Sequence, residues 1–497
     1  MKLLLPLLLT ATLAGCAAIV PGEPTHKPLN GQQLGLNDSV ITWPSEQWWL
    51  RYQDPQLNKL IAQALADNPS LDAAHARLGM ANAAVRGAHA VQLPQLDAGY
   101  NLTRERYSAN YIYPPPYGGA MITDTNLRLN ASFDLDLWGR NRAHYAAAVS
   151  DRQASQADLQ VARNAITSSV VQSYFNLQNA LTQAKVLTDI VKQQNNVLSI
   201  TTQRVSAGLD TAVEVKQAES AVSAARVQLN QATTNADLLR NQLAALAAAG
   251  PERGAQIKPA SLAHAPTRLP ETIPLELLGR RPDLVAARLR VEAASSQVKA
   301  ARAEFYPNVN LTAFAGFMSL GLANLLEGGS KIYGIGPAIS LPIFHGGALN
   351  AQLDTTQAER NLAIANYNQT LLTAVREVAD ATTSIKALQQ QTVDQEASLK
   401  AISQAYDIAV SRYKSGLGNF VQVLLAQNEM QKQSILTTDL RARAYKLDAQ
   451  LATALGGGYG ATAATNSADA ATPFHAPTTA PANAGSPANT VTNTLTH

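Results

Sequence analysis

The chain has 497 residues, a formal charge of +3, 15% charged residues and 5% aromatic residues. That length holds several ordinary domains or one large repetitive architecture, and so small a charge offers no basic face for nucleic acid. Ala, Gln, Asn, Thr and Leu are plentiful, a bias that suits long helices packed through small residues better than a sheet-rich enzyme core.

The chain opens with Met1-Lys2 and a short apolar run, Leu3 to Leu13, too short to span a bilayer. It ends in Leu13-Ala14-Gly15-Cys16, small residues followed by the only cysteine, which therefore has no internal disulfide partner. This segment resembles the bacterial lipobox. The resemblance implies a signal peptide over 1–15 and a covalent lipid on Cys16, the one prosthetic group expected. Several acyl chains at about 0.8 kcal/mol per buried CH2 make a stable anchor. Ala17 follows where an inner-membrane retention signal would have Asp, which favours the outer membrane. Residues 16–45 read as a lipidated linker.

The remainder is written twice. Pro69-Ser70-Leu71 returns as Pro282-Asp283-Leu284, Leu93-Pro94-Gln95-Leu96 as Tyr306-Pro307-Asn308-Val309, and Arg204 to Leu209 as Arg412 to Leu417. The first repeat covers 46–250, with its β-hairpin at 94–138 and a long helical hairpin at 140–249. A linker, 251–279, leads to the second repeat, 280–458, with a β-hairpin at 307–345 and a helical hairpin at 348–455.

Each repeat starts with an Ala-rich helix, about Leu71 to Gln92 and Leu284 to Phe305, stopped by Pro94 or Pro307. Alternating stretches follow. Leu96, Ala98, Tyr100 and Leu102 form one apolar row, and Leu127, Leu129, Ala131, Phe133, Leu135 and Leu137 a second. Val309, Leu311, Ala313, Ala315 and Phe317, then Tyr333, Ile335, Ile339, Leu341 and Ile343, form the other two. Period two over about ten residues marks a strand with one apolar face, either half-buried in a soluble sheet or lipid-facing in a transmembrane barrel, and the lipoprotein start and neighbouring helices favour the barrel. Asp134 and Asp136 fall on the polar side of their strand and read as lumen lining, not as an acid–base pair.

Then the period changes. No Gly or Pro interrupts Asn141 to Ala207 or Ala348 to Ser415, so each helix would reach about 100 Å. Gly208 and Gly416 supply C-terminal stops. The returning stretches carry an unbroken heptad: Val215, Ala218, Val222, Ala225, Leu229, Ala232, Ala236, Leu239, Leu243 and Leu246, echoed from Val423 to Ala454. Such a seam demands a partner helix.

Two hairpins give four membrane strands. Four cannot close, and an open edge in lipid leaves unsatisfied backbone groups at several kcal/mol each. Sister subunits must complete the barrel: two would close eight strands around a filled interior, and three would give twelve strands and more room for a duct.

The lipobox, Trp48-Trp49 with Asp54-Pro55-Gln56-Leu57, Arg280-Arg281-Pro282-Asp283-Leu284, Phe305-Tyr306-Pro307, Leu341-Pro342-Ile343-Phe344 with Gly346-Gly347, and Leu455-Gly456-Gly457-Gly458-Tyr459 resemble the NodT-type efflux lipoproteins of the outer membrane factor (TolC/OprM-like) family. The resemblance runs from about Trp48 to Tyr459. It implies a mixed α and β membrane protein: a homotrimer with a twelve-stranded β-barrel continuous with a twelve-helix periplasmic α-barrel. It implies a passive exit duct for small molecules, docked to a periplasmic membrane-fusion adaptor and to an inner-membrane pump of RND, MFS or aromatic-acid exporter type. The turns at Gly208-Leu209 and Gly416-Leu417 would be the adaptor-docking tips. In such channels a tyrosine, an acid and an arginine hold the aperture closed; Tyr413 matches the tyrosine and Glu214 the acid, while Gly418 stands at the arginine position. Gln422 and Leu425 stand where aspartate rings would narrow the pore.

No enzyme is expected. The eight histidines show no ligand spacing, and there is no nucleophile elbow or phosphate loop. Two other readings share many of these features: a type I protein-secretion outlet, and a periplasm-spanning structural lipoprotein without a pore. The tail, 459–497, rich in Ala, Thr, Asn and Pro, cannot bury a core and reads as disordered.

Overall fold

The computed structural model describes residues 25–37, 41–260 and 274–460. Cys16 and the tail beyond residue 460 lie outside the described residues. The body ends at Tyr459.

The chain enters through two local caps. Asp54 accepts the amides of Gln56 and Leu57 and starts helix α1, Pro55–Asp67. Asn68 then accepts from Ser70 and starts α2, Pro69–Ala90. The helix expected from about Leu71 thus begins two residues earlier, because Asn68 caps it and Pro69 suits its first position. Leu57, Leu60, Ile61 and Ala64 of α1 are buried against Val170, Val171 and Phe175.

Four strands follow in two pairs: β1 (Gln95–Arg106) and β2 (Met121–Asp134), then β3 (Asn308–Leu320) and β4 (Lys331–Ser340). They form one antiparallel sheet in chain order, so β1 and β4 are its two edges. The register places Leu96 opposite Ala131, Leu129 opposite Ala315, and Ala313 opposite Ile335. Directly opposed residues share a face, so the four apolar rows merge into one apolar face across the whole sheet. Leu96, Tyr100, Leu129, Tyr333, Ile335 and Ile339 on it are exposed.

The long helices are α3 (Arg140–Ser206) and α6 (Ala348–Lys414), 67 residues each, about 100 Å long. They return as α4 (Ala212–Leu246) and α7 (Phe420–Ala454), 35 residues each. Helix α5 (Pro282–Ala303) has the 22 residues of α2. Every heptad position named on α4 is buried or half-buried: Leu229 and Ala232 pack with Leu187 and Ile190 of α3. On the second hairpin Leu440, Leu447 and Leu451 meet Val378, Ile385 and Leu388. No helix among the described residues is long and apolar enough to cross a membrane.

Around the middle of α3 lies a large buried core. Tyr445 stacks on Phe175 at 4.6 Å, with Tyr52 edge-on to Phe175 at 5.0 Å. The buried carboxylate of Asp448 accepts from the Tyr52 hydroxyl at 2.7 Å and from Arg51 at 2.8 Å. This ties the N-terminal segment to α7, the last helix of the body.

One expectation changes at the strand-to-helix junction. Asp136 is not on the strand: β2 ends at Asp134, and Asp136 takes a left-handed backbone, φ 45°. Its carboxylate accepts the amides of Asn141 and Arg142, both at 2.9 Å, and so caps the start of α3. Asp134 keeps the parity of the polar face, and its carboxylate pairs with Arg140 at 2.9 Å.

Candidate functional site

The two hairpin tips are built alike. In the first, the Leu209 amide donates to the Arg204 carbonyl and the Gly208 amide to the Val205 carbonyl, both at 2.9 Å. In the second, Leu417 donates to Arg412 at 2.9 Å and Gly416 to Tyr413 at 3.1 Å. These are Schellman closures, which need a left-handed residue; Gly208 and Gly416 both sit at φ 73°. In that motif the residue after the glycine normally packs back on its helix. Here it would meet Arg204 or Arg412, so Leu209 and Leu417 stay 63% and 71% exposed.

Between the tips lies a polar latch. The Tyr413 side chain is only 1% exposed, wedged among Val197, Ala218, Phe420 and Val423. Its hydroxyl donates to Asp210 at 2.5 Å and lies 3.2 Å from the Thr201 hydroxyl. Arg204 donates to both carboxylate oxygens of Asp210, at 2.8 and 3.3 Å, and to the Tyr413 carbonyl at 2.8 Å. The guanidinium also lies over the Tyr413 ring, 4.5 Å from its centre. Arg204 and Asp210 come from the first hairpin and Tyr413 from the second, so this one cluster joins them.

The charges follow from the contacts. The Arg204 hydrogen bond, with a further one from Tyr413, holds the Asp210 carboxyl below the ordinary carboxylate range. Burial, then the neighbouring Asp210, pushes the Tyr413 phenol up, so it remains a donor.

The acid differs from the one expected. Glu214 does not contact Tyr413; its carboxylate accepts the Thr211 amide at 3.0 Å and the Thr211 hydroxyl, closing a capping box that starts α4. Nor is a guanidinium lacking: with Gly418 at the expected position, Arg204 supplies it from the other hairpin. The Gln422 amide donates to its cap Asn419 at 3.0 Å, and Leu425 is exposed one turn further along α7. Asp210 and Arg204 escaped sequence reading, although a charged pair flanking Gly208-Leu209 was a visible signal. Among the described residues no group of His, Cys, Asp and Glu is placed to hold a metal.

The wider likeness agrees with this architecture. The family model described as "Outer membrane efflux protein" matches residues 60–249 and 273–457. The multidrug resistance outer membrane protein MdtP of Escherichia coli is 32% identical over 466 residues, covering 90% of this chain and 95% of its own. MdtQ of Escherichia coli, also named a multidrug resistance outer membrane protein, is 31% identical over 469 residues, covering 91% and 97%. The crystal structure of the outer membrane protein VceC from Vibrio cholerae superposes with a TM-score of 0.81 at 37% identity, covering 84% of this chain and 100% of that one. With a matching model over both halves and relatives along nearly its whole length, this chain belongs to the outer membrane efflux protein family.

Proposed function

We propose that this protein is the outer-membrane exit duct of a tripartite efflux system, passing small molecules that a separate inner-membrane pump delivers through a periplasmic adaptor. The observation that carries this reading is the sheet: four strands, two open edges and one exposed apolar face. Such edges are satisfied in lipid only by closure, and three copies give a twelve-stranded barrel. The pairs of equal-length helices, one unit used twice, would then hang as a twelve-helix tube into the periplasm. The named multidrug relatives support drug-like cargo. The reading assigns transport and no catalytic step. A lipid on Cys16 would add an anchor to the barrel.

At the far end of the tube the exposed Leu209 and Leu417 offer apolar points for the adaptor, and the Arg204–Asp210–Tyr413 latch would hold the aperture narrow. The test is reconstitution: purified protein should migrate as heat-modifiable trimers and conduct in planar bilayers. A monomer that never conducts would overturn the proposal.

A further inference from the structure

The sheet segregates its charges by face. The register assigns Arg104 and Arg106 of β1 and Lys331 of β4 to the apolar, membrane-facing side, since Arg104 pairs with Thr123, Arg106 with Met121, and Lys331 with Phe317. All three are exposed, and no acid of the four strands shares that face. The acids Asp97, Glu105, Asp124 and Asp134 all take the opposite parity, alongside Arg128.

Position sharpens the point. All three cations lie at the strand ends remote from the long helices, beyond the apolar band of Leu96, Ala98, Tyr100 and Leu102. At the other end the same face carries Phe133, Val309 and Ile339 and no charge. Lipid-facing cations are tolerated near either interface and costly at the midplane, so these three lie at a rim of the barrel, and with the long helices in the periplasm that rim is the outer-leaflet one. The Arg106 Nε donates to the Gly119 carbonyl at 3.1 Å, which holds its exposed guanidinium at the rim. Unneutralised cations facing a headgroup layer complement phosphate.

We propose that Arg104 and Arg106 at one edge of the sheet and Lys331 at the other, brought together where β1 of one copy meets β4 of the next, form a binding surface for the phosphates of an outer-leaflet phosphorylated glycolipid. The inference rests on the barrel reading above. The surface would fix the depth of the barrel and seat lipid tightly around the mouth.

The test is native mass spectrometry of the full chain with lipid A carrying both phosphates, with phosphate-free lipid A, and with phosphatidylglycerol. The wild-type protein should prefer bis-phosphorylated lipid A over the phosphate-free form by ~10-fold or more. The combined variant Arg104→Gln, Arg106→Gln, Lys331→Gln should lose that preference while still conducting. Equal preference in this variant would overturn the inference, as would equally tight binding of phosphatidylglycerol. Should the variant not assemble, discrimination by the wild-type protein between the two lipid A forms, and its loss in high salt, decides. A wild-type protein that neither trimerises nor conducts would fail the barrel reading instead.

Discussion

Replacing Asp210 by Ala removes the acceptor of three contacts at once: the Tyr413 hydroxyl at 2.5 Å and the two Arg204 nitrogens at 2.8 and 3.3 Å. A hydrogen bond to a charged group contributes roughly 1.5–3 kcal/mol. The side chains of Arg204 and Asp210 keep 12% and 13% exposure, so water recovers part of that loss and the lower end applies. Of these three contacts only the Tyr413 bond runs between the two hairpins, so about 1.5 kcal/mol, the value of one such bond, converts to a ~10-fold shift from closed to open, since 1.4 kcal/mol is a factor of ten. Single-channel recording in planar bilayers reads this directly as a ~10-fold rise in the odds of the open state. Cells carrying the variant should also admit antibiotics too large for the closed duct. Unchanged conductance and open probability in a correctly assembled trimer would refute the latch.

The latch also sets a pH window. The Asp210 carboxyl is held down, so its contribution is present above the ordinary carboxylate value of about 4 and is lost only as pH falls below it. The Tyr413 phenol is pushed up, so its contribution persists below the ordinary value of about 10 and is lost only above it. Open probability measured from pH 5 to 9 should therefore stay flat. Glu214→Ala should leave conductance as in the wild-type protein and only slightly lower the melting temperature, because Glu214 closes a helix cap and does not touch the latch. Gly316→Ala should reduce heat-modifiable trimer on gels, since an added Cβ would lie 2.1 Å from the Leu127 carbonyl oxygen, a backbone atom that cannot move without breaking the β2–β3 pairing.

Much of this fold is legible because its elements are long and periodic. The heptad from Val215 to Leu246 announces a helix with a partner, and the alternation from Leu127 to Phe133 announces a strand with two unlike faces. Local competition set the limits. Leu135 to Leu137 continues the alternation, but Asp136 spends its carboxylate on the amides of α3 and takes a left-handed backbone, so the strand stops at Asp134. Glu214 was open to local reading, since Thr211-Ala212-Val213-Glu214 is a capping box in sequence; position against a family pattern drew it elsewhere. The partners of Tyr413 were harder to see. Asp210 and Arg204 lie some two hundred residues away and come within reach only because two separate hairpins run side by side.

The latch also breaks the symmetry of the repeat. The two turns superimpose in sequence, so Tyr413 answers Val205 and Asp210 answers Gly418. The equivalent of Arg204 is Arg412, which has no acid opposite it and gives its guanidinium to the Leu417 carbonyl at 3.2 Å. The repeated fold therefore carries this polar contact once, between the two hairpins of one chain. In the proposed ring of three copies there would be six hairpin interfaces, and the latch described here would occupy the three within chains. In that ring each subunit tip would move as a unit while its latch holds. Loss of Asp210 would loosen the tip contact between the hairpins of one chain, leaving the Arg204 bond to the Tyr413 carbonyl and the apolar packing around Tyr413, which is why it should act on the aperture more strongly than any change at Gly418.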